Sequence, residues 1–205
     1  GFASAQDADS LDADCNSVEG AYYTWTPDEV RAAMAGADPK LAGLALEWWG
    51  ITDEGNFEGR SIPNRLESRG KLPRPPALEA VRRHLLQVRS TRPAPGLDDK
   101  VLTEWNALFL HALADAAAAF RRADWKQVAI ETGEFLLREL RDDRGRWYRS
   151  WQADGEPQAR HAALAADHAA LIQAFIRLGE ATGEARWIAA ARETADTMLD
   201  WFWDP

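Results

Sequence analysis

The feature that most constrains this chain is a repeat. From Asp98 onward, apolar residues recur at helical spacing through Val101 to Phe120, Val128 to Leu140, Ala165 to Leu178 and Trp187 to Phe202. Trp187 stands 62 positions after Trp125, and the same offset pairs Ala112 with Ala174, Ala129 with Ala191, Glu131 with Glu193, Thr132 with Thr194 and Leu137 with Leu199. Two copies of one helical hairpin are therefore expected, each burying a face against its neighbour. Hairpins of this kind stack into an open solenoid or close into an α/α toroid, and the offset alone does not choose. The unit is longer than the ~34 to 47 residues of most solenoid helix pairs, and the excess falls in loops. Long loops at one end favour the toroid, where they build a pocket. The fold class expected is all-α in the main: repeated αα-hairpins forming part of an α/α toroid, with short β-hairpins in the connections.

Upstream, Thr26 is followed by Pro27 and Glu29, a capping-box pair with proline at the first helical position, and this helix is expected to reach about Ala35. A second helix follows Asp38-Pro39 and stops at Gly50. Residues 51 to 76 read as loop with a short strand near Ser61-Ile62, and Ala77 to Arg89 as helix. Tyr22 to Thr26 and Phe2 to Ala5 have strand-like composition, and Arg146 to Ala162 reads as a β-hairpin turning at Asp154-Gly155.

Charge and cysteine usage exclude several functions. With 24 Lys and Arg against 33 Asp and Glu, the net charge of -9 offers no basic surface for nucleic acid. Cys15 is the only cysteine, so the chain makes no internal disulfide or CxxC pair, which fits a reducing, cytoplasmic setting. No apolar run approaches the ~18 residues of a spanning helix, so no membrane role is expected. Paired-His metal motifs, phosphate loops and nucleophile elbows are lacking, so neither a metal nor a cofactor is expected.

Ten Trp and several loop acids point instead toward a carbohydrate ligand, because indoles form platforms for sugar rings and glycoside chemistry needs two carboxyl groups flanking one bond. Asp98 and Asp99 precede the first helix of one hairpin, and Asp167 stands near the start of the equivalent helix one unit on. In a toroid these starts face one end, which makes Asp99 and Asp167 the candidate catalytic pair. Asp7, Asp9, Asn56, Glu58, Asp98, Trp105, Asn106 and His168 are the candidate substrate-binding residues. Asp7 and Asp9 alternate on one face of a strand, Asn56 and Glu58 lie in a glycine-flanked loop, Trp105 offers a platform, and His168 a proton shuttle. The competing explanation is local: Asp at a helix start caps free N–H groups, and Asn and Asp in loops hold turns. Trp125 and Trp187 are expected as packing anchors, His111 as a core residue, and Trp48, Trp49, Trp201 and Trp203 as residues facing absent parts of the domain.

The blocks Gly1-Phe2-Ala3-Ser4-Ala5-Gln6-Asp7-Ala8-Asp9-Ser10, Glu19-Gly20-Ala21-Tyr22-Tyr23-Thr24-Trp25-Thr26, Gly55-Asn56-Phe57-Glu58-Gly59 and Asp98-Asp99-Lys100-Val101-Leu102-Thr103-Glu104-Trp105-Asn106 resemble, in order, the YyaL-type, spermatogenesis-associated thioredoxin-domain family. The resemblance implies a thioredoxin-like N-terminal domain followed by a six-hairpin, glycosidase-like (α/α)6 domain related in fold to sugar epimerases, of which this chain matches part. Where the family carries an Asp-Asp-Tyr-Ala block, this chain reads Ala166-Asp167-His168-Ala169. The start without Met and the end on Trp203-Asp204-Pro205 are read as marks of a fragment of one larger domain, with self-association expected through surfaces that excision exposes. Two functions remain open: a carbohydrate-binding or carbohydrate-processing toroid, hydrolase-like or epimerase-like, and a non-catalytic helical scaffold or regulatory domain.

Overall fold

The computed structural model describes residues 1–12, 14–70, 73–153 and 157–204. The chain forms two compact units, one of Gln6–Gly96 and one of Gly1–Ala5 with everything from Leu97 onward. Seven α-helices dominate among the described residues, with short strands between them: β1 (Ala5–Gln6), β2 (Asp9–Leu11), β3 (Ser17–Glu19), α1 (Pro27–Ala33), α2 (Pro39–Trp48), α3 (Pro76–Arg89), β4 (Leu97–Asp98), β5 (Val101–Leu102), α4 (Thr103–Ala119), α5 (Ala123–Glu139), β6 (Tyr148–Gln152), β7 (Gln158–Ala162), α6 (Ala165–Thr182) and α7 (Ala185–Phe202).

In the smaller unit the capping box forms as expected: the Glu29 amide donates to Thr26 Oγ1 at 3.2 Å and the Thr26 amide to Glu29 Oε2 at 2.9 Å. Asp38 Oδ1 caps α2 by accepting from the Lys40 amide at 2.9 Å. α1, α2 and α3 enclose Trp25, Val30, Ala45, Trp48, Leu78 and Val81. Trp48 is thus a core residue of its own unit, a correction to the expectation that it faces absent parts. Tyr22 to Thr26 is also not a strand. The chain folds back on Gly20, whose φ is +73°, and the Tyr23 and Thr24 amides both donate to the Gly20 carbonyl. The Arg92 guanidinium takes the carbonyls of Ala21, Tyr22 and Thr24, so they have no strand partner to seek. Only Trp25 makes a β-bridge, to Ser61.

The larger unit realises the repeat in its elements. α4 and α6 begin 62 positions apart, at Thr103 and Ala165, and so do α5 and α7, at Ala123 and Ala185. β5, β6 and β7 form an antiparallel sheet in that order, pairing Leu102 with Ser150 and Ser150 with Arg160. The expected hairpin of 146–162 is β6 and β7; its Asp154-Gly155 turn lies outside the described residues. Phe2 makes no strand, because its backbone bonds the Asn106 side chain. The core is filled by Leu110, Leu136, Trp147, Leu171, Phe175 and Trp187. Phe175 stacks on Trp187 with centroids 5.9 Å apart, and Trp147 Nε1 donates to Thr194 Oγ1 at 3.1 Å. Gly133 makes room for this packing: a Cβ there would stand 2.8 Å from Leu178 Cδ2 and 3.0 Å from the Trp187 ring.

Two residues depart from expectation because burial depends on neighbours as well as on helical position. Trp187 is fully buried, whereas its repeat partner Trp125 is half-buried, with Phe120 at its edge and Arg122 over its face. His111 is not in the core; it lies half-exposed beside Asp115, 3.4 Å away one turn on. Asp115 also accepts from Arg177 Nε at 2.7 Å, joining α4 to α6.

Trp187→Ala is expected to lower the unfolding free energy by about 3–5 kcal/mol, and Trp125→Ala by less than about 1 kcal/mol, measured by urea denaturation. The Arg177 guanidinium, with a smaller contribution from His111, holds the Asp115 carboxyl below the usual carboxylate range. Stability from this contact is present above that range and is lost as pH falls through the lower folded value. Asp115→Asn should therefore flatten the acid limb of a stability-versus-pH profile below pH about 4 and leave neutral pH nearly unchanged.

Candidate functional site

The starts of α4 and α6 hold the acids that the sequence singles out. Asp167 occupies the third position of α6, where its Oδ2 accepts the Leu164 amide at 2.7 Å and closes the first turn of its own helix. Its Oδ1 accepts the Glu104 amide at 3.1 Å, from the first turn of α4. First-turn amides have no intrahelical acceptor, so a single carboxylate satisfies one donor on each helix. Arg149 of β6 brings its Nη1 to 3.6 Å from Oδ2, an ion pair without a hydrogen bond. The Asp167 side chain is 1% exposed. As placed, it is a joint between two helix starts.

The residues around it are held as firmly. His168 directs Nδ1 to the Leu164 carbonyl at 2.9 Å; a carbonyl only accepts, so Nδ1 carries the hydrogen. Its Nε2 is buried without a hydrogen-bond partner, and the ring meets Phe202 edge-on at 5.4 Å. Asn106, one repeat earlier, also donates to the carbonyl four residues back, at 3.0 Å. Its far end brackets Phe2, accepting that amide at 2.7 Å and donating to that carbonyl at 3.0 Å. Asp99 Oδ1 accepts from Gln152 Nε2 at 3.0 Å. Asp98 pairs with Lys100 Nζ at 2.7 Å, and Lys100 holds its carboxyl below the usual range, so it is no proton donor near neutrality. Trp105 presents a half-exposed indole beside Leu108 and Phe109.

The remaining candidates belong to the smaller unit. Asp7 precedes β2 and bonds through its backbone to Gly96, so Asp7 and Asp9 do not share a strand face. Asp9 Oδ2 accepts from Ser17 Oγ at 3.1 Å across β2 and β3. The Asn56 carboxamide brackets Ile62, accepting its amide at 2.7 Å and donating to its carbonyl at 3.0 Å. Glu58 sits exposed at the tip of the same turn with φ +47°. Among the described residues no group of three or more His, Cys, Asp or Glu side chains is disposed to hold a metal ion.

Sequence reasoning missed a polar cluster in this unit. Glu29, read as a cap, also receives Arg60 Nη2 at 2.8 and 2.7 Å on its two oxygens, and Arg92 approaches Oε2 at 3.4 Å. Arg60 Nε donates to Thr24 Oγ1 at 2.7 Å, and the Arg92 guanidinium lies 4.1 Å over the Trp25 ring. The capping box announces Glu29, but no spacing rule reaches Arg60 and Arg92, 31 and 63 positions away. Beside this cluster, Trp25, Trp49, Ile51, Pro63, Arg82 and Arg89 line a cleft of about 230 Å³. Its walls are apolar and its rim carries guanidinium groups. Arg82 is paired with Glu79, and Arg89 lies 5.2 Å from the Tyr22 ring centroid.

Spermatogenesis-associated protein 20 of Homo sapiens is 30% identical to this chain over 236 residues, an alignment that covers all of this chain and 30% of that protein. The chain therefore spans under a third of the length of the curated relative it matches. No family model matches it. Among solved structures, the Lin0763 protein of Listeria innocua aligns over 68% of this chain and 43% of its own, with TM-score 0.49 and 16% identity. A GH76 α-mannanase of Bacteroides thetaiotaomicron aligns over 62% and 39%, with TM-score 0.47 and 12% identity. Neither likeness is deep enough to establish a shared fold. Among the described residues no helix is long and apolar enough to cross a membrane.

Asp167→Ala removes the acceptor for two first-turn amides and the counter-charge of Arg149. It is expected to lower the unfolding free energy by about 2–4 kcal/mol, with Asp167→Asn losing less because its amide oxygen still accepts. Asp99→Asn should cost below about 1 kcal/mol. Urea denaturation of the three variants checks the order.

Proposed function

We propose that this chain is part of a six-hairpin, glycosidase-like (α/α)6 domain in a protein of the spermatogenesis-associated thioredoxin-domain family, and that it binds carbohydrate at the Trp25–Trp49 cleft. Full-length alignment of the chain with the human relative and the tandem hairpins α4–α5 and α6–α7 support the family and the architecture. The observation that carries the ligand reading is the cleft itself: indole and aliphatic walls suit the C–H face of a sugar ring, and arginine N–H groups at the rim suit its hydroxyls. At about 230 Å³ the cleft lies below the ~300 Å³ at which drug-sized sites begin, which restricts its occupant to about one ring. A cytoplasmic setting belongs to the same reading and is supported by the free, exposed thiol of Cys15.

The catalytic version of this reading gives acid and base roles to Asp99 and Asp167. It requires Asp167 to exchange two backbone amides for a sugar oxygen, an exchange that binding at the cleft does not involve. A second reading, the non-catalytic scaffold, is favoured by the individual engagement of the acids: Asp9 by Ser17, Asp98 by Lys100, Asp99 by Gln152 and Asp167 by two amides.

Thermal unfolding in the presence of a panel of monosaccharides and short oligosaccharides separates the two. The binding reading expects at least one sugar to raise Tm, the midpoint rising further with sugar concentration as linkage requires, by about 2.7 kcal/mol of stability at a hundredfold excess over Kd. Trp49→Ala should abolish the shift; because Trp49 also packs against the core of its unit, its unliganded Tm falls, and the comparison is of the sugar-induced shift within each protein. No shift with any sugar supports the scaffold instead.

A further inference from the structure

The Trp25–Trp49 cleft carries charge of one sign. Among the described residues its lining includes two guanidinium groups, those of Arg82 and Arg89, and no carboxylate. The two arginines differ in their surroundings. Arg82 is neutralised across one helical turn by Glu79, which accepts its Nη2 at 2.7 Å and also pairs with Arg74. Arg89 makes no ion pair among the described residues; its guanidinium lies 5.2 Å from the Tyr22 ring centroid and 5.4 Å from that of Tyr23, with Nε buried and without a hydrogen-bond partner. Aromatic faces hold a guanidinium in place without cancelling its charge. Its neighbours add to the excess. Arg60 and Arg92 share the carboxylate of Glu29, and burial, opposed by Glu29 and assisted by the like charges of Arg60 and Arg89, pulls the Arg92 guanidinium below its usual range. Three guanidiniums thus stand around one carboxylate, in an acidic chain whose Arg122, Arg146, Arg177 and Arg186 each have an acid beside them.

A neutral sugar offers hydroxyls to these N–H groups and leaves the excess charge in place. A carboxylate or phosphate accepts from a guanidinium through two oxygens and cancels that charge, beside apolar walls that weaken solvent screening. We infer that the cleft takes an acidic monosaccharide, one ring bearing a carboxylate or phosphate group that pairs with Arg89, while Trp25, Trp49 and Ile51 meet the apolar face of the ring. This rests on the carbohydrate reading and adds the charge of the ligand to it. Arg82, already held by Glu79, is left to the ring hydroxyls.

Isothermal titration calorimetry with matched sugars tests it: glucose, glucuronate and glucose 6-phosphate, then galactose, galacturonate and galactose 6-phosphate, with acetate and inorganic phosphate as anions lacking a ring. Any other neutral sugar that raises Tm in the wider panel joins them with its own uronate and 6-phosphate. At least one acidic sugar should bind about tenfold or more tightly than its neutral parent, and the preference should shrink in about 1 M salt. Whichever of uronate and phosphate binds more tightly assigns the anion. Arg89→Gln should bring the acidic sugar to the Kd of its neutral parent and leave that parent within about twofold, whereas Arg89→Lys, which keeps the charge, should retain part of the preference. The comparison within the parent chain needs no variant to fold. Equal binding of acidic and neutral sugars overturns the inference and leaves the carbohydrate reading standing; absence of binding by every sugar removes both. Acetate or phosphate binding as tightly as the acidic sugars also overturns it, because the anion alone then suffices. So does an equal loss of acidic and neutral sugars in Arg89→Gln, which marks a purely structural role.

Discussion

One carboxylate, that of Asp167, fixes where two helices begin relative to each other. Its two oxygens reach the amide of Leu164, the residue that caps α6, and the Glu104 amide on α4, so any slip of one helix along the other removes a bond to a buried charge. The larger unit is organised around that constraint. With the starts aligned, positions 62 apart come to equivalent depths along the stack, and Arg177 meets Asp115, the residue equivalent to it one repeat earlier. The residue equivalent to Asp167 on α4 is Trp105, which lies half-exposed. Repeat symmetry is thus broken at the position that makes the joint.

Packing follows the same register. Ala107, Ala114, Ala170 and Ala174 are all buried, and small side chains let α4 and α6 approach closely. The larger volumes of the same core are filled by Trp147, Phe175 and Trp187, with Gly133 conceding the space that the Trp187 ring occupies. Interiors of this density transmit small changes, so the alignment at the helix starts and the aromatic packing depend on each other. The smaller unit has its own centre, the pairing of Glu29 with Arg60 and Arg92, which ties a capping residue to the loop carrying Trp25 and leaves the Trp25–Trp49 cleft beside it.

What the amino-acid order reveals and what it hides divide along physical lines. The four helices of the larger unit follow from periodicity and an offset, and the α1 cap from Thr26, Pro27 and Glu29, because these are local properties. Of the helix starts, α6 begins at Ala165 as expected, α4 and α7 within two residues of expectation, and α5 five residues before the expected Val128. Tyr22 to Thr26 misleads since strand-forming composition says nothing about Arg92, which takes the carbonyls that a neighbouring strand would have taken. Trp125 and Trp187 are indistinguishable as letters and differ in burial because one has neighbours on a side where the other does not. The candidate acids are legible as residue types at helix starts and turns; their partners, from Gln152 to the Glu104 amide, are set by tertiary packing.

Native-state hydrogen exchange at the Glu104 amide tests the central claim most directly. A second-position helix amide ordinarily has no acceptor and exchanges nearly as fast as an unfolded one. If Asp167 joins the two helix starts, this amide exchanges only with the opening of the hairpin pair, as slowly as amides in the middle of α4, and Asp167→Ala speeds it to the rate of an open helix end. Fast exchange of the Glu104 amide in the parent chain, at the rate the variant shows, would contradict the account.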